Sequence, residues 1–254
     1  EASLNFFEYE KSYSRSVINA AANLGVKFDQ RSTEKVIDDL IAQGVDAVPA
    51  VGPRNVLTMD AQLLPLGGFS NKTNVAQNEN GYFMVYKSDR YGFNNPDSEW
   101  DASHVEWLLI GDSFAEGRAV RPGEDIAGQI RANTLKSSIS LGRGGNGPLM
   151  ELAALIEYAR AVKPRRVLWV YYEENDLRSD LRRDKTVPLL MKYVDDDFFQ
   201  NLIHRQKEID KELEEYILKA AGKVDKKLKK GSAEYNKFMQ DQREKLSIQR
   251  FKGL

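Results

Sequence analysis

Three short segments of this 254-residue chain set polar or glycine residues directly after apolar runs. Gly111-Asp112-Ser113 follows Leu108-Leu109-Ile110. Gly142-Arg143-Gly144-Gly145-Asn146-Gly147 follows Ile139–Leu141, and Glu173-Glu174-Asn175-Asp176 follows the run VLWVYY at 167–172. A serine hydroxyl becomes a nucleophile when a base takes its proton. A glycine loop lets backbone N–H groups approach a substrate closely, and an asparagine side chain adds an amide donor. Acyl transfer needs these parts, because its tetrahedral intermediate develops an oxyanion that each fixed donor stabilises by roughly 3–4 kcal/mol. Taken singly, each segment also has a plain structural reading, since Gly, Asp and Ser favour turns and helix caps.

The elements that must position these residues are legible around them. Three consecutive apolar residues, Leu108 to Ile110, predict a strand over 105–110 that is buried on both faces. Ile139–Leu141 and 167–172 read as two further buried strands. Asp125–Asn133 reads as a helix with Ile126 and Ile130 on one face. Pro148 suits the first turn of another, running to about Val162 with Leu149, Leu152, Ala153, Leu155, Ile156 and Ala159 inward. Residues 105–176 thus alternate strand, helix, strand, helix, strand, with connections long enough for parallel crossovers, which predicts a doubly wound α/β core. Parallel strands bring the three segments to one sheet edge, where ligands bind in open α/β sheets.

Upstream, residues 1 to about 30 have a helical period closed by Gly25, and Ser32 is placed to cap a second helix with Val36, Ile37, Leu40 and Ile41 as its apolar face. Residues 45–80, with Pro49, Pro53, Pro65 and Gly67-Gly68, read as loop with short extended pieces. Tyr82–Tyr86 reads as a strand and 88–95 as a turn. Beyond Asp197, Ile209, Leu213, Tyr216, Ile217, Ala220, Val224 and Leu228 keep a helical period, Gly231-Ser232 breaks it, and Tyr235, Phe238, Met239 and Leu246 resume it. This predicts a hairpin of two long helices over 198–250, a packing or dimerisation arm, with a lid over the site as the sharper alternative. The expected division is an N-terminal helical and loop segment (1–80), an α/β core (81–196) and a helical arm (197–254).

Composition narrows the function. A formal net charge of −1 offers no bulk attraction for nucleic acid or an anionic membrane surface. With no cysteine, disulfides, thiol catalysis and cysteine-based zinc sites are excluded, and two histidines, His104 and His204, cannot build a histidine-rich metal centre. No cofactor is expected. No run of 18 apolar residues exists, so a membrane anchor would lie outside this sequence. The chain begins at Glu1, which is expected of a fragment or processed product.

The segments GDSF (111–114), LGRGGNGP (141–148) and EENDL (173–177) resemble the first three motif blocks of the SGNH/GDSL hydrolase superfamily. LLPLGGFSN (63–71) and SDRYGFNNP (88–96) resemble SGNH-like proteins of bacterial envelope and polysaccharide gene clusters, which widens the likeness to most of 35–205. The resemblance implies a flavodoxin-like three-layer α/β/α fold with a parallel sheet. It also implies a serine esterase or O-acyltransferase, acting outside the cytoplasm on an acylated carbohydrate. It assigns the nucleophile to Ser113, the oxyanion glycine to Gly145 (or Gly144, one residue away) and the oxyanion asparagine to Asn175. The chain departs from the pattern in two places. Glu173 stands where the family has glycine, and the closing Asp-x-x-His block that supplies the general base is absent. His204, in Asn201-Leu202-Ile203-His204, has Asn in place of Asp and a helical setting. His104 precedes the first strand, at the wrong edge of the sheet. The favoured explanation is that the base lies beyond Leu254.

Two other functions fit parts of the sequence. One is a catalytically incomplete relative that binds a ligand or partner without turnover. The other is a dinucleotide-binding oxidoreductase, because Gly142-x-Gly144-x-x-Gly147 lies between a strand and a helix and Glu173 or Glu174 could bind a ribose. The second leaves Ser113 without a role.

Overall fold

The computed structural model describes residues 16–25, 27–57, 61–195 and 197–228. Among these residues the chain is mixed α/β, with two small three-stranded sheets that each contain parallel strands. Helix α1 (16–23) ends at Leu24 and Gly25, where φ is +66°. Helix α2 (Thr33–Ala42) starts where the sequence predicts, with the Ser32 hydroxyl accepting from Lys35 N at 3.2 Å. The first sheet then forms from β1 (Ala47–Pro49), β2 (Thr73–Val75) and β3 (Val85–Lys87), with a one-turn helix α3 (Pro53–Val56) between β1 and β2. Strands β1 and β2 run parallel, whereas β2 and β3 are antiparallel with Asn74 opposite Tyr86. The strand expected at 82–86 is therefore shorter and later, because the ladder ends where Ala76 N donates to Met84 O.

The second sheet carries the three segments of interest. Its elements are β4 (Trp107–Gly111), α4 (Ser113–Glu116), α5 (Ile126–Thr134), β5 (Ser138–Ser140), α6 (Pro148–Val162) and β6 (Arg166–Val170). The order is β5-β4-β6 with both pairings parallel, and Leu108 lies opposite Ile139 on one side and Val167 on the other. Central β4 is buried on both faces, as expected of a parallel strand. Asp125 caps α5 by accepting from Gly128 N at 2.8 Å, and Pro148 occupies the first turn of α6.

Three details of the sequence reading are corrected. The buried face of α5 is Ala127 and Gly128, while Ile126 is exposed and Ile130 half-buried, because the short helix lies close on β5. The buried stripe of α6 is rotated and takes in Met150, Ala153, Ala154 and Tyr158 together with Glu151 and Glu157; Leu152, Leu155, Ile156 and Ala159 are only half-buried. The two glutamates can be buried because each has donors waiting. Glu157 accepts from Tyr193 Oη at 2.5 Å, from Leu202 N at 2.8 Å and from Gln200 N. Finally, β6 is not buried on both faces. Val167 and Trp169, alternate residues that share one face, are 46% and 49% exposed, so that face of β6 is only partly covered.

One buried cluster holds the chain together. It takes Val51, Leu64, Leu66 and Phe69 from the first 80 residues, Leu108, Ile139 and Met150 from the parallel unit, and Leu202, Ile209 and Leu213 from the last segment. After the short helices α7 (Leu181–Asp184) and α8 (Pro188–Met191), the chain enters α9 (Gln206–Leu228). The first turns of α9 dock on the core through Ile209 and Leu213, and Asp210 accepts from Ser70 N and Oγ at 2.9 and 2.7 Å. The second helix of the expected hairpin, like residues 1–15, lies outside the described residues. No helix among the described residues is long and apolar enough to cross a membrane.

The segment 88–95 braces the parallel sheet. Buried Asp89 accepts from Tyr91 N, Phe93 N, Asn95 Nδ2 and Trp100 Nε1 at 2.8–2.9 Å. The turn so formed aims Asn95 at the free edge of β5, where it exchanges two hydrogen bonds with the Ser140 backbone at 2.8 and 2.9 Å. Asn94 reaches α4 by donating to Glu116 O at 3.0 Å.

Candidate functional site

Because the three strands are parallel, Gly111-Asp112-Ser113, the 142–147 loop and 171–175 all leave the same edge of the sheet. Ser113 directly follows the central strand, and the chain runs from β4 out to β5 on one side and then crosses back to β6 on the other, the kind of reversal in strand order beside which open α/β sheets bind ligands. Gly111 is required at the turn. Its φ is +154°, and an added Cβ would lie 2.7 Å from Val170 O and 2.8 Å from Ala115 Cβ. Asp112 then caps α4, its Oδ1 accepting from Phe114 N at 2.9 Å, and burial pushes its carboxyl above the usual range. Ser113, the first residue of α4, is half-buried, and its hydroxyl has no hydrogen-bond partner among the described residues.

A buried ion pair holds the glycine loop against this turn. Arg143 and Glu116 are 1% and 3% exposed, with Nη1 to Oε1 at 3.0 Å. Arg143 also donates to Tyr86 Oη at 2.7 Å and to Val51 O at 2.6 Å, so the first sheet and the loop after β1 help fix it. Glu116 Oε2 in turn accepts from Gly144 N at 2.6 Å. The Gly144 amide is therefore committed to the scaffold. Gly145 is exposed with φ +80°, its carbonyl accepts from Arg54 Nε at 2.5 Å, and its N–H has no acceptor among the described residues. Of the two glycines the sequence leaves open, Gly145 is the one with a free donor. Arg54 is itself held by Asp184 at 3.2 Å, and burial lowers its guanidinium below the usual range.

Asn175 follows β6 and is half-buried. Its Nδ2 donates to Asp180 Oδ2 at 2.8 Å, and its Oδ1 is buried without a partner. Asp180 orients the amide and uses one of its two N–H groups, leaving the second for an incoming acceptor. The loops touch through Phe114 and Tyr172, whose ring centroids are 5.2 Å apart. Asn146, Glu151 and Asp176, all fully buried, carry further polar atoms without partners. Unsatisfied groups thus concentrate at this edge, as expected where a ligand or ordered water completes the hydrogen bonding. The acidic residues there include no group that could hold a metal ion among the described residues.

Glu151 sits behind the site with Oε2 accepting from Trp169 Nε1 at 2.5 Å. Burial pushes its carboxyl up to about 8, the Trp169 N–H works against the rise, and Asp176, Asp112 and Asp184 add to it. An unfolded glutamate titrates near 4.3. The folded protein thus keeps a proton that the unfolded chain has released, and stability falls as pH rises between those values. Asp89, pushed by burial to about 6, contributes only to the lower part of that window. Between about pH 6 and 8, Glu151→Gln is expected to flatten the decline, which is at most about 1.4 kcal/mol per unit for one group. Thermal unfolding of both proteins across this range measures it, and parallel curves would show Glu151 to be ionised throughout.

Neither histidine reaches the serine. His104 is exposed beside Ser103, before β4 and at the opposite end of a strand about 16 Å long. His204 is exposed in the turn Leu202–His204. The glycine fingerprint also has its phosphate position filled. Asp184 Oδ2 accepts from Leu149 N and Met150 N at 3.1 and 3.4 Å, occupying the amides at the start of α6 that a pyrophosphate would use.

Sequence reasoning missed Arg54, Glu116, Arg143, Glu151 and Asp184. A signal existed for two. Glu116 stands three residues after Ser113, one helical turn on, and Glu151 is a charge within an apolar helix stripe. Arg54 and Asp184 come from remote segments, and nothing local marks them. Compared with protein-family models, curated proteins and solved structures, the chain matches none.

Proposed function

We propose that this chain is an SGNH-type serine esterase or O-acyltransferase with a flavodoxin-like three-layer core, acting on an acylated carbohydrate. The observation that carries the reading is the convergence, at one edge of a parallel sheet, of an unpartnered serine hydroxyl and the free Gly145 amide, with Asn175 at the third strand end. In this reading Ser113 Oγ attacks the acyl carbonyl as its proton passes to a base. The N–H groups of Ser113 and Gly145 and Nδ2 of Asn175 receive the oxyanion. Collapse breaks the ester bond, releases the alcohol and leaves an acyl-serine, which water or an acceptor hydroxyl then attacks. The base has to come from outside the described residues.

The test is turnover of p-nitrophenyl acetate and a panel of acetylated sugars. Asn175→Ala is expected to cut kcat by roughly 10²–10³ with KM little changed, because the donor acts on the oxyanion. Equal loss in kcat/KM through KM alone would reduce Asn175 to a binding residue. The missing base favours a second reading, a protein that binds an ester ligand at this edge without cleaving it. Binding of an acetylated sugar with no turnover would select that reading. Tight binding of NAD(H) would overturn both.

A further inference from the structure

Three guanidinium groups surround the 143–145 loop, and two of them are balanced. Arg143 is paired with Glu116 and Arg54 with Asp184. The third, Arg118, follows α4 closely, its N–H donating to Ser113 O at 3.1 Å. Its side chain lies flat on Gly144, where an added Cβ would be 2.0 Å from Nη1 and 3.0 Å from Cζ. Arg118 is half-buried and its Nε is fully buried, yet no described residue pairs with it or accepts a hydrogen bond from its side chain. The other described arginines that are not fully exposed (Arg54, Arg90, Arg131, Arg143 and Arg205) each have a partner.

Burying a charged donor without a partner is costly, so a protein that keeps one beside an open loop is expected to meet the cost when a ligand arrives. The edge is also electrically divided. Unbalanced positive charge lies at Gly144, whereas Asp112, Asp176 and Asp180 gather toward the end of β6. A planar guanidinium matches a carboxylate or phosphate with two parallel hydrogen bonds.

We propose that Arg118 forms an anion subsite beside Ser113, and that the ligand carries a carboxylate or phosphate next to its acyl group. This deepens the acyl-ester reading and rests on it for the reaction, although the anion binding stands by itself. Two measurements separate the two. In the first, inorganic phosphate, methyl glucuronoside and neutral methyl glucoside are titrated into the protein at low ionic strength, followed by calorimetry. Either anion is expected to bind at least about tenfold more tightly than the neutral sugar. Arg118→Gln should erase that preference and Arg118→Lys should retain part of it. Preference for phosphate identifies one source of the anion and preference for glucuronoside the other. In the second, kcat/KM is compared for acetylated methyl glucuronoside and acetylated methyl glucoside. Arg118→Gln should abolish the preference for the acidic ester. Failure of both esters to turn over counts against the esterase reading alone. No anion preference in the unaltered protein, or the same preference in folded Arg118→Gln, overturns the subsite.

Discussion

If the chain is the proposed serine esterase, Ser113→Ala is expected to lower ester turnover at least about 10³-fold, down to what oxyanion donors and substrate binding supply without a nucleophile. The same substitution should leave stability within about 0.5 kcal/mol, because the hydroxyl makes no hydrogen bond among the described residues and alanine suits the first turn of α4. The pairing of these outcomes is what makes the experiment decisive. At most active-site positions a loss of activity can be confused with a loss of folding, but here the side chain is held by nothing that its removal would disturb. The cap that shapes the turn belongs to Asp112, and the close approach belongs to Gly111. Turnover unchanged in folded Ser113→Ala would end the nucleophile assignment, whatever the fate of Gly145 and Asn175. Kinetics with p-nitrophenyl acetate and urea unfolding on the same preparation provide both readings.

Arg143→Met is expected to cost about 3–5 kcal/mol in urea unfolding, the usual result of removing one member of a buried ion pair. Arg143 is among the largest fully buried side chains of the molecule. Its loss leaves Glu116 buried without its ion-pair partner, and frees Val51 O and Tyr86 Oη from their donor. Methionine fills much of the volume, so the cost is mainly electrostatic. Arg143→Met/Glu116→Gln should therefore be less destabilised than the sum of its single variants, with a coupling of about 1–3 kcal/mol. A loss below about 1 kcal/mol in the single variant would mean that water reaches the pair. The double variant also bears on function. Glutamine at 116 still offers an oxygen to Gly144 N, so the double variant is expected to keep that contact to the glycine loop.

The two substitutions differ in how far the sequence anticipates them. Ser113 was readable because its setting is local. An apolar run, a glycine and a polar pair follow one another in the chain, and the strand's period and the turn's chemistry lie within ten residues. Gly145 and Asn175 were readable for the same reason, each at the end of its own strand. Arg143 lies inside a segment the sequence marked, yet its role was invisible. Its partners Val51 and Tyr86 are 92 and 57 residues away.

Taken alone, the sequence determines the alternation from β4 to β6, the cap at Ser32, and the three strand ends that share an edge. Each depends on short-range periodicity or on a side chain bonding its own backbone, which act over one or two turns of chain. The tertiary structure decides which faces are buried. The stripe of α6 rotated to include Glu151 and Glu157 because Trp169, Tyr193 and Leu202 bring donors to them, and β6 stayed half exposed because the face that carries Val167 and Trp169 is only partly covered. It also decides which glycine amide is free, since Glu116 claims that of Gly144 and leaves that of Gly145, and it sets Arg118 unpaired beside them. Such outcomes depend on which remote groups meet and whether their charges and hydrogen bonds balance, and distance along the chain carries no record of that.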